Sequence, residues 1–231
     1  MAMRSPNLDL LGTVAHALGD LLPEIVFVGG SVVELYVDDP AAPPVRNTED
    51  VDCVIPVVRP AQMRDWEKRL RAHGFSNDMR QGAPLCRWIC DGVTVDILAP
   101  DSSVMGFTNR WYASGLQHSI VHKLSGTNIE IRLFDFPWFL AAKMEAVRSR
   151  GWPDLRMSHD FEDVVYLWNN IPQVMSRLES VPEELKEWIA AELADWRRNP
   201  SFHEAVECAL SAGEEVRAAR IIQEMTALSK R

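Results

Sequence analysis

Phe27-Val28-Gly29-Gly30-Ser31 is followed, nineteen residues after its serine, by Asp50-Val51-Asp52. A short apolar run that ends in two glycines and a serine predicts a buried strand, a turn, and a helix that has Ser31 as its N-cap. Side chains alternate along a strand, so Asp50 and Asp52 are expected on one face and Val51 on the other. Two carboxylates at this spacing repel each other unless a cation lies between them. The pair therefore predicts either a divalent-cation site or two surface aspartates at a strand end.

The composition is that of a globular protein with a substantial core. The 231 residues are 47% hydrophobic and 25% charged, enough for one large domain or two modest ones. The net charge of -9 argues against a surface that coats nucleic acid, although it leaves room for a local basic cleft. No apolar run approaches the roughly 18 residues that a membrane span needs. We expect a soluble, cytoplasmic protein with no membrane partner.

The four cysteines do not suggest a metal site. They include no CxxC pair and have no histidines at ligand spacing. Free, buried thiols in a reducing compartment are the expected state of these residues, which are Cys53, Cys86, Cys90 and Cys208.

The periodicity of apolar residues divides the chain near residue 135. Before it, we predict an α/β (α+β) domain, 1–135, with a small mixed sheet flanked by helices; after it, we predict a helical bundle, 136–231. The elements predicted for the first domain are helices at 8–22, 32–37 and 60–73, strands at 25–28, 50–58 and 129–133, a hairpin of 86–90 with 93–98 around Asp91-Gly92, and loops at 38–44 and 107–115. The helices predicted for the second domain are 137–150, 158–169, 182–197, 201–211 and 214–229.

A third carboxylate, Asp96, falls in the middle of the predicted strand 93–98. Aspartate is disfavoured there, so the position is either functional or a solvent-facing edge. Together with Asp50 and Asp52 it could hold two Mg²⁺ ions about 3.5–4 Å apart, as metal-assisted nucleotidyl transfer requires. Two weaker candidates are His118 with His122 as metal ligands, against a solvated pair, and the cluster Arg110-Trp111-Tyr112 as a substrate contact.

These residues resemble a known signature. Gly29-Gly30-Ser31, Asp50-Val51-Asp52 and Asp96, in this order, look like the Gly-Gly/Ser, Asp-x-Asp and distal Asp of the DNA polymerase beta-like nucleotidyltransferase superfamily. The stretch Arg46-Asn-Thr48-Glu-Asp50-Val-Asp52 resembles more narrowly the Arg-x-Thr-x-Asp-x-Asp of AbiEii/MenT-type nucleotidyltransferases. The helical motifs of that group, Lys-x-x-Ala-x-x-x-Arg and Lys-Asp-x-x-Asp, resemble the run from Lys143 to Arg150 and the run His159-Asp160-Phe-Glu-Asp163, in which histidine replaces the lysine.

The resemblance implies a metal-dependent enzyme that moves a nucleoside monophosphate from an NTP to an acceptor hydroxyl. The implied catalytic residues are Asp50, Asp52, Asp96 and Lys143, of which the three aspartates would bind Mg²⁺ or Mn²⁺. The implied nucleotide-binding residues are Gly29, Gly30, Ser31, Arg46, Thr48, Lys143 and Asp160. The implied acceptor is an RNA end, such as the tRNA 3′ end, or a protein, and the group includes toxins that are paired with an antitoxin protein.

Three alternatives stay open at this point. The chain could be a non-catalytic nucleotide-binding module on the same fold, or a nucleotidyltransferase that modifies a small molecule such as a cationic antibiotic, which suits an acidic surface. In the helical half, Lys143 could simply form an interhelical salt bridge with Asp160 or Asp163.

Overall fold

The computed structural model describes residues 5–151 and 154–230, and its centre is a mixed seven-stranded sheet. The strands are β1 (Val26–Val28), β2 (Asp50–Val54), β3 (Ser76–Asn77), β4 (Arg87–Cys90), β5 (Val93–Leu98), β6 (Ser119–Lys123) and β7 (Glu130–Phe134). They lie in the order β3-β4-β5-β2-β1-β7-β6. The pairs β2–β5 and β1–β7 are parallel and the others antiparallel. The predicted mixed sheet is therefore confirmed.

Helices flank the sheet and form most of the chain after it, as predicted. They are α1 (Pro6–Leu18), α2 (Pro60–Ala72), α3 (Ser102–Met105), α4 (Tyr112–Gln117), α5 (Phe136–Ala146), α6 (His159–Asn170), α7 (Val174–Glu179), α8 (Glu183–Trp196), α9 (Phe202–Cys208) and α10 (Glu215–Leu228). None of the helices in the described residues is long and apolar enough to cross a membrane.

The chain folds into two compact units. The first unit contains the chain up to Leu35 together with Arg46–Phe139, and it holds the whole sheet. The second contains Tyr36–Val45 together with the chain from Leu140 onward. An aromatic cluster lies in its core, where the ring of Phe161 packs against Trp196 and Phe202 at centroid distances of 5.0 and 6.3 Å.

Strands β1 and β2 show the burial that their sequences predict. All three residues of β1 are buried, as expected of a strand covered on both faces. In β2, Val51 and Cys53 are fully buried, whereas Asp50 and Asp52 are partly exposed. The two aspartates therefore share the more open face of the strand. The strand ends at Val54 rather than at residue 58, because Pro56 has no N–H to continue the hydrogen-bonded ladder.

The helix after the glycine turn differs from the prediction. A 3-10 helix spans Gly30–Tyr36, so Ser31 lies within its first turn instead of capping an α-helix. The Ser31 hydroxyl is fully buried and has no hydrogen-bond partner. The predicted N-cap role is wrong, since an N-cap hydroxyl accepts a hydrogen bond from a backbone N–H two or three residues ahead.

The hairpin of β4 and β5 confirms the prediction made from Asp91-Gly92. Cys90 pairs with Val93, and the two turn residues have φ angles of 48° and 80°. Positive φ at both central positions defines the type I′ turn, which matches the twist of the flanking strands.

The segment after β5 contains more regular structure than predicted. The predicted loop at 107–115 is wrong in its second half, where α4 begins at Tyr112, and strand β6 was not predicted. Both faces of β6 carry exposed side chains, including Ile120 and Val121, so its sequence lacks the alternation that marks a half-buried strand.

The aromatic and histidine candidates of this segment have other partners. Trp111 is buried, so it has no exposed ring face to stack on a substrate. The ring of His118 stacks on Trp138 at 3.9 Å, while His122 lies in β6. The two histidines therefore do not form a paired metal site on one helix.

We expect only one thiol to react rapidly in the folded protein. Cys53, Cys86 and Cys90 are buried, and burial raises the pKa of each thiol, in the case of Cys86 to about 11. Cys208 is exposed at the end of α9. Titration with DTNB at pH 8 should show one fast thiol per chain and three more only in guanidinium. The Cys208→Ser variant should lose the fast phase; a fast phase that persists in this variant contradicts the fold around β2, β4 and β5.

Candidate active site

Pairing of the central strands brings the predicted aspartates together on one face of the sheet. Asp52 of β2 is the register partner of Asp96 on β5, and Asp50 is the partner of Thr94. On the other side, Asp52 is paired with Val28, the last residue of β1. Register partners on adjacent strands project from the same face, so Asp50, Asp52 and Asp96 form one carboxylate cluster beside the glycine turn.

The glycine turn, Gly29 to Ser31, lies directly against Asp52. Gly29 has φ +78°, and a Cβ on it would lie 1.8 Å from Asp52 Oδ2. A Cβ on Gly30 would lie 2.6 Å from the methyl carbon of Thr48 and 2.7 Å from Arg46 Nη2. No side chain fits at either position, so the glycines are needed for the close approach of Arg46, Thr48 and Asp52 to the backbone of the turn.

A buried asparagine fixes the segment that carries Arg46 and Thr48. Asn7, in the first turn of α1, is fully buried; its Nδ2 donates to the carbonyl of Arg46 (3.1 Å), and its Oδ1 accepts from the backbone N–H of Thr48 (3.0 Å). The Thr48 hydroxyl in turn donates to the Asp50 carbonyl (3.3 Å). Asn7 is a positioning residue that the sequence did not reveal, because an asparagine in a first helical turn has no distinctive pattern.

The Ser31 hydroxyl in the turn is buried and has no hydrogen-bond partner. Burying a hydroxyl without a hydrogen bond costs about 1–3 kcal/mol, and native proteins rarely carry that cost without a reason. The hydroxyl belongs to the same turn in which Gly29 approaches Asp52 and Gly30 approaches Arg46. The arrangement is what a phosphate-binding turn needs, namely bare backbone and a hydroxyl donor.

The carboxylate cluster includes a basic residue that the sequence reasoning did not select. Arg87 on β4 is the register partner of Asp96. Its Nε donates to Asp96 Oδ1 (2.9 Å) and its Nη2 to Asp96 Oδ2 (2.8 Å), while Nη2 lies 3.6 Å from Asp50 Oδ2. A hydrogen bond to Asp96, together with the nearby carboxylates, raises the pKa of Arg87 above its already high ordinary value despite partial burial.

The hairpin sequence contained the signal for this contact. In a hairpin with the two-residue turn Asp91-Gly92, residues equally distant from the turn are paired, so position 87 is opposite position 96. An arginine across from a mid-strand aspartate then predicts a cross-strand ion pair.

The donor set fits a divalent cation at two of its three aspartates. Mg²⁺ is commonly bound by one or two carboxylates, with water and substrate phosphates completing its coordination. Asp50 and Asp52 are partly exposed neighbours on one face and suit this mode, whereas both oxygens of Asp96 are bonded to Arg87. Among residues 5–151 and 154–230, no preformed group of three or more His, Cys, Asp or Glu side chains could hold a metal ion. The assignment of all three aspartates to metal stays a prediction.

The residues predicted in the helical half form a buried ionic network within the second unit. Lys143 Nζ donates to Asp160 Oδ1 (3.1 Å) and to Asp163 Oδ2 (2.7 Å). Arg150, from the π-helical turn Val147–Gly151 after α5, donates through Nε to Asp160 Oδ2 (2.8 Å). Burial alone would raise the pKa of Asp160, but Lys143 and Arg150 outweigh it and hold that pKa below its ordinary value.

Lys143 forms the interhelical salt bridges with Asp160 and Asp163 that were the alternative to a role in nucleotide binding. Its side chain is 6% exposed and those of Asp160 and Asp163 are 7% and 2% exposed, whereas that of Arg150 is 71% exposed. His159, at the position of the motif lysine, is exposed and contacts Glu162 (3.4 Å). A contact of Lys143 or Asp160 with a nucleotide stays a prediction, and Arg150 is the most exposed cation of the network.

Comparison with known proteins yields similarity in structure but not in sequence. No family model matches the chain, and no curated protein matches it in sequence. Among solved structures, the chain is similar to the crystal structure of an antigenic nucleotidyltransferase-like protein from Paracoccidioides brasiliensis. The TM-score is 0.49 and the identity 19%, over 90% of this chain and 95% of that one.

Proposed function

We propose that the chain is a nucleotidyltransferase that moves a nucleoside monophosphate from an NTP to an acceptor hydroxyl and releases pyrophosphate. The observation that carries the proposal is the contact of the glycine turn with Asp52. Gly29 leaves room for a carboxylate that a Cβ would displace, and the orphaned hydroxyl of Ser31 follows two residues later. A phosphate-binding turn and a cation-binding carboxylate in direct contact are what the handling of a metal–triphosphate complex requires.

In this proposal, the site residues of the first unit have distinct roles. Gly29, Gly30 and the hydroxyl of Ser31 bind the β- and γ-phosphates, and Arg46 supplies positive charge beside them. Asp50 and Asp52 hold Mg²⁺ or Mn²⁺, which when bound neutralises charge on the triphosphate and the departing pyrophosphate. Opening of the buried Ser31 site is part of nucleotide binding, because its hydroxyl is fully covered in this structure.

The acceptor is the finer part of the proposal. The resemblance in the stretch from Arg46 to Asp52 supports an RNA end, such as the tRNA 3′ end, or a protein hydroxyl, together with a toxin role and an antitoxin partner. The net charge of -9 favours instead a small cationic acceptor such as an aminoglycoside. The assay below therefore includes all three acceptor classes.

We expect Asp52→Asn and Asp50→Asn to lower transfer by roughly 10²-fold or more, since each removes charge needed at the triphosphate. The measurement is the incorporation of each α-³²P-labelled NTP, with Mg²⁺, into total tRNA, the protein itself or an aminoglycoside panel. Asp65→Asn, at an exposed position of α2, is the matched control and should keep full activity. Absence of transfer to every acceptor, or equal transfer by all three variants, would sink the assignment.

A non-catalytic nucleotide-binding module is the second candidate, and a specific observation favours it. Both oxygens of Asp96 accept hydrogen bonds from Arg87, so one carboxylate of the cluster already has a cationic partner within the chain. Calorimetric binding of an NTP without any labelled product would support this candidate over the enzyme.

A further inference from the structure

We propose that Arg87 is the permanent counter-ion of the carboxylate cluster and that its pairing with Asp96 prevents Asp96 from binding a metal ion. The cluster therefore binds a single divalent ion, through Asp50 and Asp52. This inference rests on the proposed function, because it concerns the metal stoichiometry of the same site. It assigns Arg87 as a positioning residue and changes the role that the resemblance implies for Asp96.

The geometry of the Arg87–Asp96 pair is that of a strong, well-oriented ion pair. The two residues are register partners across the β4–β5 hairpin, and two parallel N–H···O bonds of 2.9 and 2.8 Å join them. A bidentate guanidinium–carboxylate pair is stronger and more directional than a single-bonded one. The side chain of Asp96 is 12% exposed, so water does little to compete for its oxygens.

The pairing with Arg87 also makes the oxygens of Asp96 poor metal ligands. Each oxygen of Asp96 already accepts one N–H from Arg87, so a metal ion would have to bind at a remaining lone pair, next to the positive charge of Arg87 and on a side chain that is only 12% exposed. Exchanging that pair for a metal bond would deprive the partly exposed Arg87 guanidinium of its two shortest hydrogen bonds. Asp50 differs, because its side chain is 39% exposed and its Oδ2 lies 3.6 Å from Arg87 Nη2, beyond hydrogen-bond distance.

The charges point to the same stoichiometry. Asp50, Asp52, Asp96 and Arg87 together carry a net charge of minus two, and Arg46 beside the glycine turn adds positive charge, so one divalent ion is enough to neutralise the cluster. A second ion would have to overcome repulsion from both the first ion and Arg87 at close range. The guanidinium of Arg87 therefore takes the place of the second metal ion that a two-metal site would bind.

The test is a titration with Mn²⁺ alone, followed by electron paramagnetic resonance. The wild-type chain should bind one Mn²⁺ with the spectrum of an isolated ion. Asp96→Asn should still bind one ion, with affinity lowered by no more than about tenfold, because the cluster loses one negative charge but no metal ligand, whereas Asp52→Asn should lose the ion. Arg87→Met frees Asp96 and should bind two ions, whose spectra are coupled if they lie about 3.5–4 Å apart.

The double variant Arg87→Met/Asp96→Asn separates the freed carboxylate from the lost charge and avoids leaving Asp96 buried and unpaired. It should return to one ion, and circular dichroism should show that all variants are folded. Two coupled ions in the wild type, or loss of binding in Asp96→Asn, would overturn the role of Arg87 even if transfer activity is normal. Failure of the proposed function is distinguishable from this, since it appears as absence of both Mn²⁺ binding and transfer in the wild type.

Discussion

Gly29→Ala is expected to reduce nucleotidyl transfer by at least about 100-fold, because a misplacement of about 1 Å in a catalytic group can cost that much. The new methyl group would lie 1.8 Å from Asp52 Oδ2 and 2.7 Å from Asp52 Cγ, so it must displace that carboxylate. The turn cannot relax easily in the other direction, because Gly30 is in contact with Thr48 and Arg46. The measurement is the rate of incorporation of labelled NMP at saturating NTP and Mg²⁺.

The control for Gly29→Ala is Gly126→Ala, which shares its backbone strain. Gly126 has φ +72° against +78° for Gly29, but a Cβ on Gly126 has nothing within 4 Å. Both variants pay roughly 1–2 kcal/mol for an alanine in the left-handed region. Only Gly29→Ala should lose activity and Mn²⁺ binding; equal losses in the two variants would show that strain, and not the position of Asp52, is responsible.

The fold was predictable wherever local patterns determine it. The Asp91-Gly92 turn gave the β4–β5 hairpin, and the buried run before Gly29 gave β1, because turn chemistry and continuous apolar residues act over a few positions. Strand β6 was not predictable in this way, since its residues are exposed and its structure depends on pairing with β7. The 3-10 helix after Gly29 likewise depends on tertiary packing that buries Ser31.

The three aspartates of the carboxylate cluster could be selected from the sequence, but the side chains that contact them could not. The alternation of β2 placed Asp50 and Asp52 on one face, and the parallel pairing of β2 with β5 then added Asp96. The side chain of Asn7 binds the segment before β2 from 39 and 41 residues away in sequence, a distance at which no pattern operates. The contact of Arg87 was partly predictable. The two-residue turn places Arg87 opposite Asp96, but it does not show that Arg87 bonds to both oxygens of Asp96.

Lys143→Met is expected to destabilise the protein by about 3–5 kcal/mol, because two buried carboxylates lose the cation that they share. Lys143 bridges Asp160 and Asp163, which are 7% and 2% exposed, and Arg150 is bonded to Asp160. Asp163 therefore loses the Lys143 ammonium, while Asp160 retains the Arg150 guanidinium. For a chain of this size the loss corresponds to a fall in melting temperature of roughly 6–20 °C, measured by circular dichroism or calorimetry.

The matched control for Lys143→Met is the double variant Lys143→Met/Asp163→Asn, which removes the cation together with one of the two carboxylates it bridges. It should recover a large part of the lost stability, since replacing both partners of a buried pair is often close to neutral. Transfer activity, measured well below the melting temperature of each variant, separates structure from chemistry. If Lys143 also neutralises the triphosphate, the double variant should be stable and inactive; if its salt bridges are its whole role, stability and activity should return together. A melting temperature unchanged in Lys143→Met would contradict the buried network itself.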